Sequence, residues 1–107
     1  MPAAAIDDPI LKRFRAELNA LYGDRIERVV LFGSRARGNA REDSDYDLAV
    51  FLHHLTDYWR EADRIVDLET DILLDTGAMI HALPLPAGSY DDRTGLMREI
   101  RLEGVDL

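Results

Sequence analysis

The chain contains no cysteine, which excludes disulfides, thiolate metal sites and cysteine nucleophiles. Basic side chains are scarce: 13 Lys and Arg stand against 21 Asp and Glu, a formal net charge of −8. A surface that tracks a nucleic-acid backbone needs clustered Lys and Arg, so this balance argues against direct binding of DNA or RNA. It does not exclude a nucleotide, whose phosphates metal ions and backbone amides can hold. No apolar run approaches the length of a membrane span. The opening MPAAAIDDP also lacks the basic and apolar regions of a secretory signal. A cytoplasmic protein with no membrane partner is therefore expected. No repeat, low-complexity tract or linker divides the 107 residues, which read as one domain spanning 1–107.

Asp7-Asp8-Pro9 reads as a helix start, with an acidic cap and Pro at the first turn. Ile10, Leu11, Phe14, Leu18 and Leu21 follow at helical spacing, and Gly23 supplies the stop. Ile26 to Phe32 is a strand. The polar connection from Gly33 to Ser44 is expected to open with a short helical turn at Ser34. Tyr46 to Leu52 is a second strand, and Asp57 to Thr76 the longest helix, ended by Gly77. Within that helix, one of Tyr58 and Trp59 is expected in the core, and the acids from Asp57 to Asp75, Glu61 among them, on a solvated face. Ala78 to Leu85 reads as a third strand, with Pro84 and Pro86 marking its exit or an edge. Ser89 and Asp92 resemble a capping box opening a final helix that runs to Glu103. This order predicts an α/β (α+β) fold: a small mixed sheet of three to four strands with helices packed on it.

Chemistry concentrates between Leu31 and Phe51, in LFGSRARGNAREDSDYDLAVF. Asp45 and Asp47 lie two apart on a strand and therefore point to one face. Two carboxylates so placed repel unless a cation sits between them, and Mg²⁺ commonly uses one or two carboxylates plus substrate phosphates. Gly33 allows close backbone approach where the first strand ends, and Ser34 offers a hydroxyl and amides to phosphate oxygens. Arg35, Arg37 and Arg41 add positive charge. Together these parts describe a metal–nucleoside triphosphate site. Gly33 and Gly38 have P-loop spacing, but Asn39-Ala40 follow where a P-loop needs Lys and a hydroxyl residue. His53 and His54 are adjacent, so on a continuing strand they would face opposite sides and could not chelate one ion.

Gly33-Ser34, ten residues, then Asp45-Tyr46-Asp47 resembles the G-S-x10-D-x-D signature of the DNA polymerase β-like nucleotidyltransferase superfamily. The fuller string is similar to its minimal members, the MNT domains, which are often paired with an HEPN-domain ribonuclease toxin. The resemblance implies the polymerase β-like fold, with Gly33 and Ser34 holding the β- and γ-phosphates; beside them Arg35 and Arg37 are expected either to support the phosphates or, one or both, to face water. It implies that Asp45 and Asp47 bind two Mg²⁺ ions around ATP. AMP would pass to a hydroxyl, in MNT antitoxins a tyrosine of the HEPN toxin, with release of pyrophosphate. One departure matters. Active members usually carry a third carboxylate on the next strand, whereas AMIHALPL offers only His81 as base or ligand. The alternative reading is therefore an MNT-like antitoxin, weak or inactive as an enzyme, that neutralises its partner by binding.

Overall fold

The computed structural model describes residues 7–107. Helix α1 (Pro9–Tyr22) begins as expected, the Asp8 carboxylate accepting from the Ile10 amide at 2.8 Å with Pro9 in the first turn. A 3-10 turn at Gly23–Arg25 leads into β1 (Ile26–Phe32). The short α2 (Ser34–Arg37) follows, then β2 (Tyr46–Leu52), α3 (Tyr58–Thr76) and β3 (Ile80–Pro86). A 3-10 turn at Ser89–Asp91, α4 (Gly95–Glu103) and β4 (Val105–Asp106) complete the order.

The sheet runs β3-β2-β1-β4, with β1 antiparallel to both β2 and β4, and β2 parallel to β3. The β2–α3–β3 crossover explains the parallel pair, since parallel neighbours need a long connection. Both faces are covered. Leu11, Phe14 and Leu18 of α1 and Ile65 and Ile72 of α3 pack on one face, against Val29, Leu31, Leu48, Val50 and Leu52. On the other face, Met97 and Ile100 of α4 meet Val30, Ala49 and Phe51. Tyr90 stands edge-on to Phe51 there, with ring centroids 5.8 Å apart. Because β2 is buried on both faces it reads as a continuous apolar run after Asp47.

The prolines of β3 have a specific use. Tyr46 N–H donates to the Met79 carbonyl and Ala87 N–H to the Leu52 carbonyl, so odd-numbered residues here bond to β2 and even-numbered ones face the open edge. At that edge Pro84 and Pro86 have no N–H, and the Ala82 N–H donates to the Glu69 carboxylate of α3 at 2.7 Å. From Ala82 onward, donors that could recruit another strand are thus removed or capped.

Three expectations are corrected. The last helix does not start at Ser89: the chain makes a 3-10 turn, extends, and begins α4 at Gly95, where the Thr94 hydroxyl accepts from the Met97 amide at 3.2 Å. Neither Tyr58 nor Trp59 is in the core; Trp59 is 75% exposed, its ring stacked edge-on with that of Tyr58. Glu61 is buried, paired with Arg25 at 2.7 Å and within reach of the Tyr22 hydroxyl, because it lies on the α3 face turned toward α1. The second strand ends at Leu52 as expected, and His53 and His54 sit in the turn beyond it, with His54 at φ +59°.

Candidate active site

Asp47 occupies the second position of β2, level with Phe32 of β1 and His81 of β3. Side chains in register share a face, so Asp47 and His81 point to the side of the sheet covered by α4. Asp45 precedes the strand by one residue, and its Oδ2 lies 3.2 Å from Nε2 of His81. Both of these side chains are about half exposed. The structure thus brings together the two acids and the histidine from separate parts of the chain.

Gly33 fits against this pair. It joins β1 to α2 with φ +77° and ψ −159°, a region essentially reserved for glycine. A Cβ placed on it would lie 2.5 Å from Oδ2 of Asp47. The missing side chain therefore leaves the carboxylate its space, and the β1–α2 junction passes directly beside it. Ser34, the first residue of α2, is brought to the same end of the sheet.

The two arginines separate. Arg37 carries charge toward Asp47 and pairs with Glu103 at the end of α4, 3.0 Å away. Arg35 turns elsewhere: its Nε and Nη2 donate to the Ser44 carbonyl at 3.0 and 2.7 Å, and Nη2 also to the Glu42 carbonyl at 3.1 Å. Its guanidinium lies 3.9 Å from the centre of the Tyr46 ring.

Burial is the main cause that raises the Asp47 pKa above the ordinary carboxylate value. His81 opposes the rise, the like charge of Asp45 adds to it, and Arg37 opposes it. Such a carboxylate gains most from a cation beside it. Two acids two residues apart, with a cradle that a Cβ would fill, fit a hard divalent ion shared with phosphate oxygens. Among the described residues no group of three His, Asp or Glu is arranged to hold an ion unaided, so ligand oxygens would have to complete any such shell. A cavity of about 310 Å³ lined by Ile10, Arg35, Ser44, Tyr46 and Gly77 to Met79 lies behind the Asp45 loop, toward α1, and includes none of Asp45, Asp47 and His81. A larger one of about 410 Å³, between Leu11, Arg15 and Leu107, shares no residue with the site.

Sequence reasoning missed Glu103, Glu69, and the contacts of Tyr46 and Asp8. The Tyr46 hydroxyl donates to Asp8 at 2.6 Å, and burial with this bond pushes its pKa up to about 12. Tyr46 stood in view as the middle residue of D-x-D, but nothing local tied it to Asp8, 38 residues away.

Comparison with known proteins shows the family of the chain. Residues 18–84 match the family model described as polymerase beta, nucleotidyltransferase. The chain belongs to the polymerase beta nucleotidyltransferase family. It is 35% identical over 77 residues to a Methanocaldococcus jannaschii protein named as a candidate protein adenylyltransferase, covering 72% of this chain and 71% of that one. A candidate nucleotidyltransferase from Sulfolobus solfataricus superposes with a TM-score of 0.64 at 18% identity, over 99% of this chain and 87% of that one. A chain of a toxin–antitoxin crystal structure containing AMP-PNP superposes with a TM-score of 0.60 at 18% identity, over 87% and 68%.

Proposed function

We propose that this single domain, residues 1–107, is a Mg²⁺-dependent adenylyltransferase that moves AMP from ATP to a hydroxyl of a partner protein in the cytoplasm. The acceptor is a tyrosine of an HEPN ribonuclease toxin, and the modification makes this chain its antitoxin. The observation that carries the reading is the Asp45–Asp47 pair backed by Gly33, whose absent side chain leaves room at Asp47. The named adenylyltransferase relative and the toxin–antitoxin fold neighbour support the acceptor class.

Asp45 and Asp47 would hold the two magnesium ions, which would supply charge neutralisation for in-line displacement at the α-phosphorus. The Ser34 hydroxyl and nearby backbone amides donate to the β- and γ-phosphates, with Gly33 permitting the approach. Arg37, held at the site's rim by Glu103, donates to the same oxygens. A neutral His81 that donates its Nε2–H to Asp45 leaves Nδ1 to take the proton of the attacking hydroxyl. The new oxygen–phosphorus bond forms as the bond to the β-phosphate bridge breaks, and pyrophosphate leaves.

A second reading has its own observation. The β3 position level with Asp47 is His81, not a carboxylate, which favours an antitoxin acting by binding alone. Asp45→Asn with Asp47→Asn separates the two. If neutralisation of the partner is lost at equal protein levels, chemistry is the mechanism; if it survives, binding is.

A further inference from the structure

We infer that Arg35 is a positioning residue, which clamps both chain neighbours of Asp45 and so sets where that carboxylate stands. The inference rests on the proposed reading of Asp45 and Asp47 as metal ligands. It departs from the expectation that Arg35 supports phosphate.

On one side of Asp45, the Ser44 carbonyl receives two N–H bonds from Arg35. On the other, the Tyr46 ring lies flat under the same guanidinium. Residues 38–45 form no helix or strand; besides Arg35, the Asn39 N–H donating to the Ser34 carbonyl holds one end and the contact of the Asp45 carboxylate with His81 the other. Within the loop, the Ser44 amide donates to the Arg41 carbonyl and the Ser44 hydroxyl accepts from the Arg41 amide at 2.8 Å. These bonds shape the turn without attaching it to the domain. Arg35 provides the attachment, tying the turn to α2.

Charge gives the attachment its second purpose. Glu42, Asp43, Asp45 and Asp47 crowd within six residues, and their repulsion would splay an untethered loop. A planar, permanently charged fork suits this position: it bonds two carbonyls and stacks on an aromatic ring at once, which an ammonium cannot do. The ring is itself anchored, since the Tyr46 hydroxyl donates to Asp8, whose other oxygen caps α1. The metal-site loop is thereby connected to the starts of both α1 and α2. With its Nε and Nη2 bonds directed at the loop, Arg35 is turned from the face that Asp47 shares with His81.

The test compares wild type, Arg35→Ala, Arg35→Lys and the charge control Arg60→Ala, an exposed arginine of α3 outside the site, each as the full chain. The first readout is the ¹⁵N heteronuclear NOE of the Asp43 to Asp45 amides without ligands. The second is Mn²⁺ affinity without nucleotide, by electron paramagnetic resonance. Arg35→Ala should lower the three NOE values to those of a mobile loop and raise the Mn²⁺ dissociation constant about 10- to 100-fold. Arg35→Lys should restore neither, and Arg60→Ala should match wild type. If Arg35→Ala does not fold, the lysine variant carries the test through the same two readouts. Unchanged loop order and Mn²⁺ affinity, with ATP affinity alone reduced, would overturn the inference and make Arg35 a phosphate ligand. Should wild type bind Mn²⁺ no better than Asp45→Asn/Asp47→Asn, the metal reading fails. The relaxation data then decide Arg35 alone: a mobile loop supports it and an ordered one refutes it.

Discussion

Replacing Gly33 by alanine tests the geometry at the centre of the site. The backbone there sits at φ +77° and ψ −159°, which costs a residue with a Cβ about 1–3 kcal/mol. The new methyl would also stand 2.5 Å from Oδ2 of Asp47, so either the carboxylate or the β1–α2 junction must move. For a domain of this size each kcal/mol lowers the melting temperature by about 4–8 °C, and the backbone cost alone should lower it by about 5–20 °C. Gly38→Ala is the matched control. Gly38 is left-handed, at φ +80° and ψ 13°, but a Cβ there meets nothing within 4 Å. It should cost only about 1–2 kcal/mol and leave Mn²⁺-ATP affinity unchanged. Scanning calorimetry with titration of Mn²⁺-ATP distinguishes the two. A Gly33→Ala protein that melts with the Gly38→Ala control and binds Mn²⁺-ATP like wild type would refute the claim that Gly33 is shaped around Asp47.

Asp47→Asn should raise the melting temperature in EDTA at neutral pH while abolishing metal binding, because burial and Asp45 make ionisation of Asp47 costly in the folded state; an unchanged or lower temperature contradicts this. Arg25→Ala removes the nearer of two arginines from the buried Glu61 carboxylate, leaving Arg64 at 3.5 Å and the Tyr22 hydroxyl, and should destabilise by about 1–3 kcal/mol in urea unfolding, part of it recovered by adding Glu61→Gln. Burial raises the Glu69 pKa, outweighing the bond from Ala82 and the charge of His81. The folded protein therefore holds that proton more tightly than the unfolded chain, and stability falls as pH rises from the ordinary carboxylate range through the raised value. Glu69→Gln should flatten urea-unfolding stability across that window, its side-chain oxygen still able to accept from Ala82; an unaltered slope contradicts it.

Elements with strong local signals are legible in the sequence. Asp8-Pro9 and Asp57 start α1 and α3, Gly23 and Gly77 follow their ends, and the two apolar runs after Arg25 and Asp45 are strands. The carboxylate pair and Gly33-Ser34 are legible too, since their spacing alone puts both acids on one face and a glycine at a strand end. What stayed hidden depends on contacts between distant residues. Glu61 looks like one more acid on a charged helix until Arg25 and Tyr22 are seen to enclose it. The cap at Thr94 outcompetes Ser89, whose hydroxyl donates back to the Pro86 carbonyl at 2.7 Å. The fork of Arg35 could be read as phosphate-binding because nothing in GSRARG says that the loop ahead will fold over it.

The most direct test of the central claim is transfer of label from α-labelled ATP with Mg²⁺ onto the partner protein, with Asp45→Asn/Asp47→Asn alongside. A labelled partner is expected with wild type alone, the label mapping to a tyrosine. No label on a partner that is present and bound, from a protein that still binds ATP with Mg²⁺, would contradict it and leave neutralisation to binding alone.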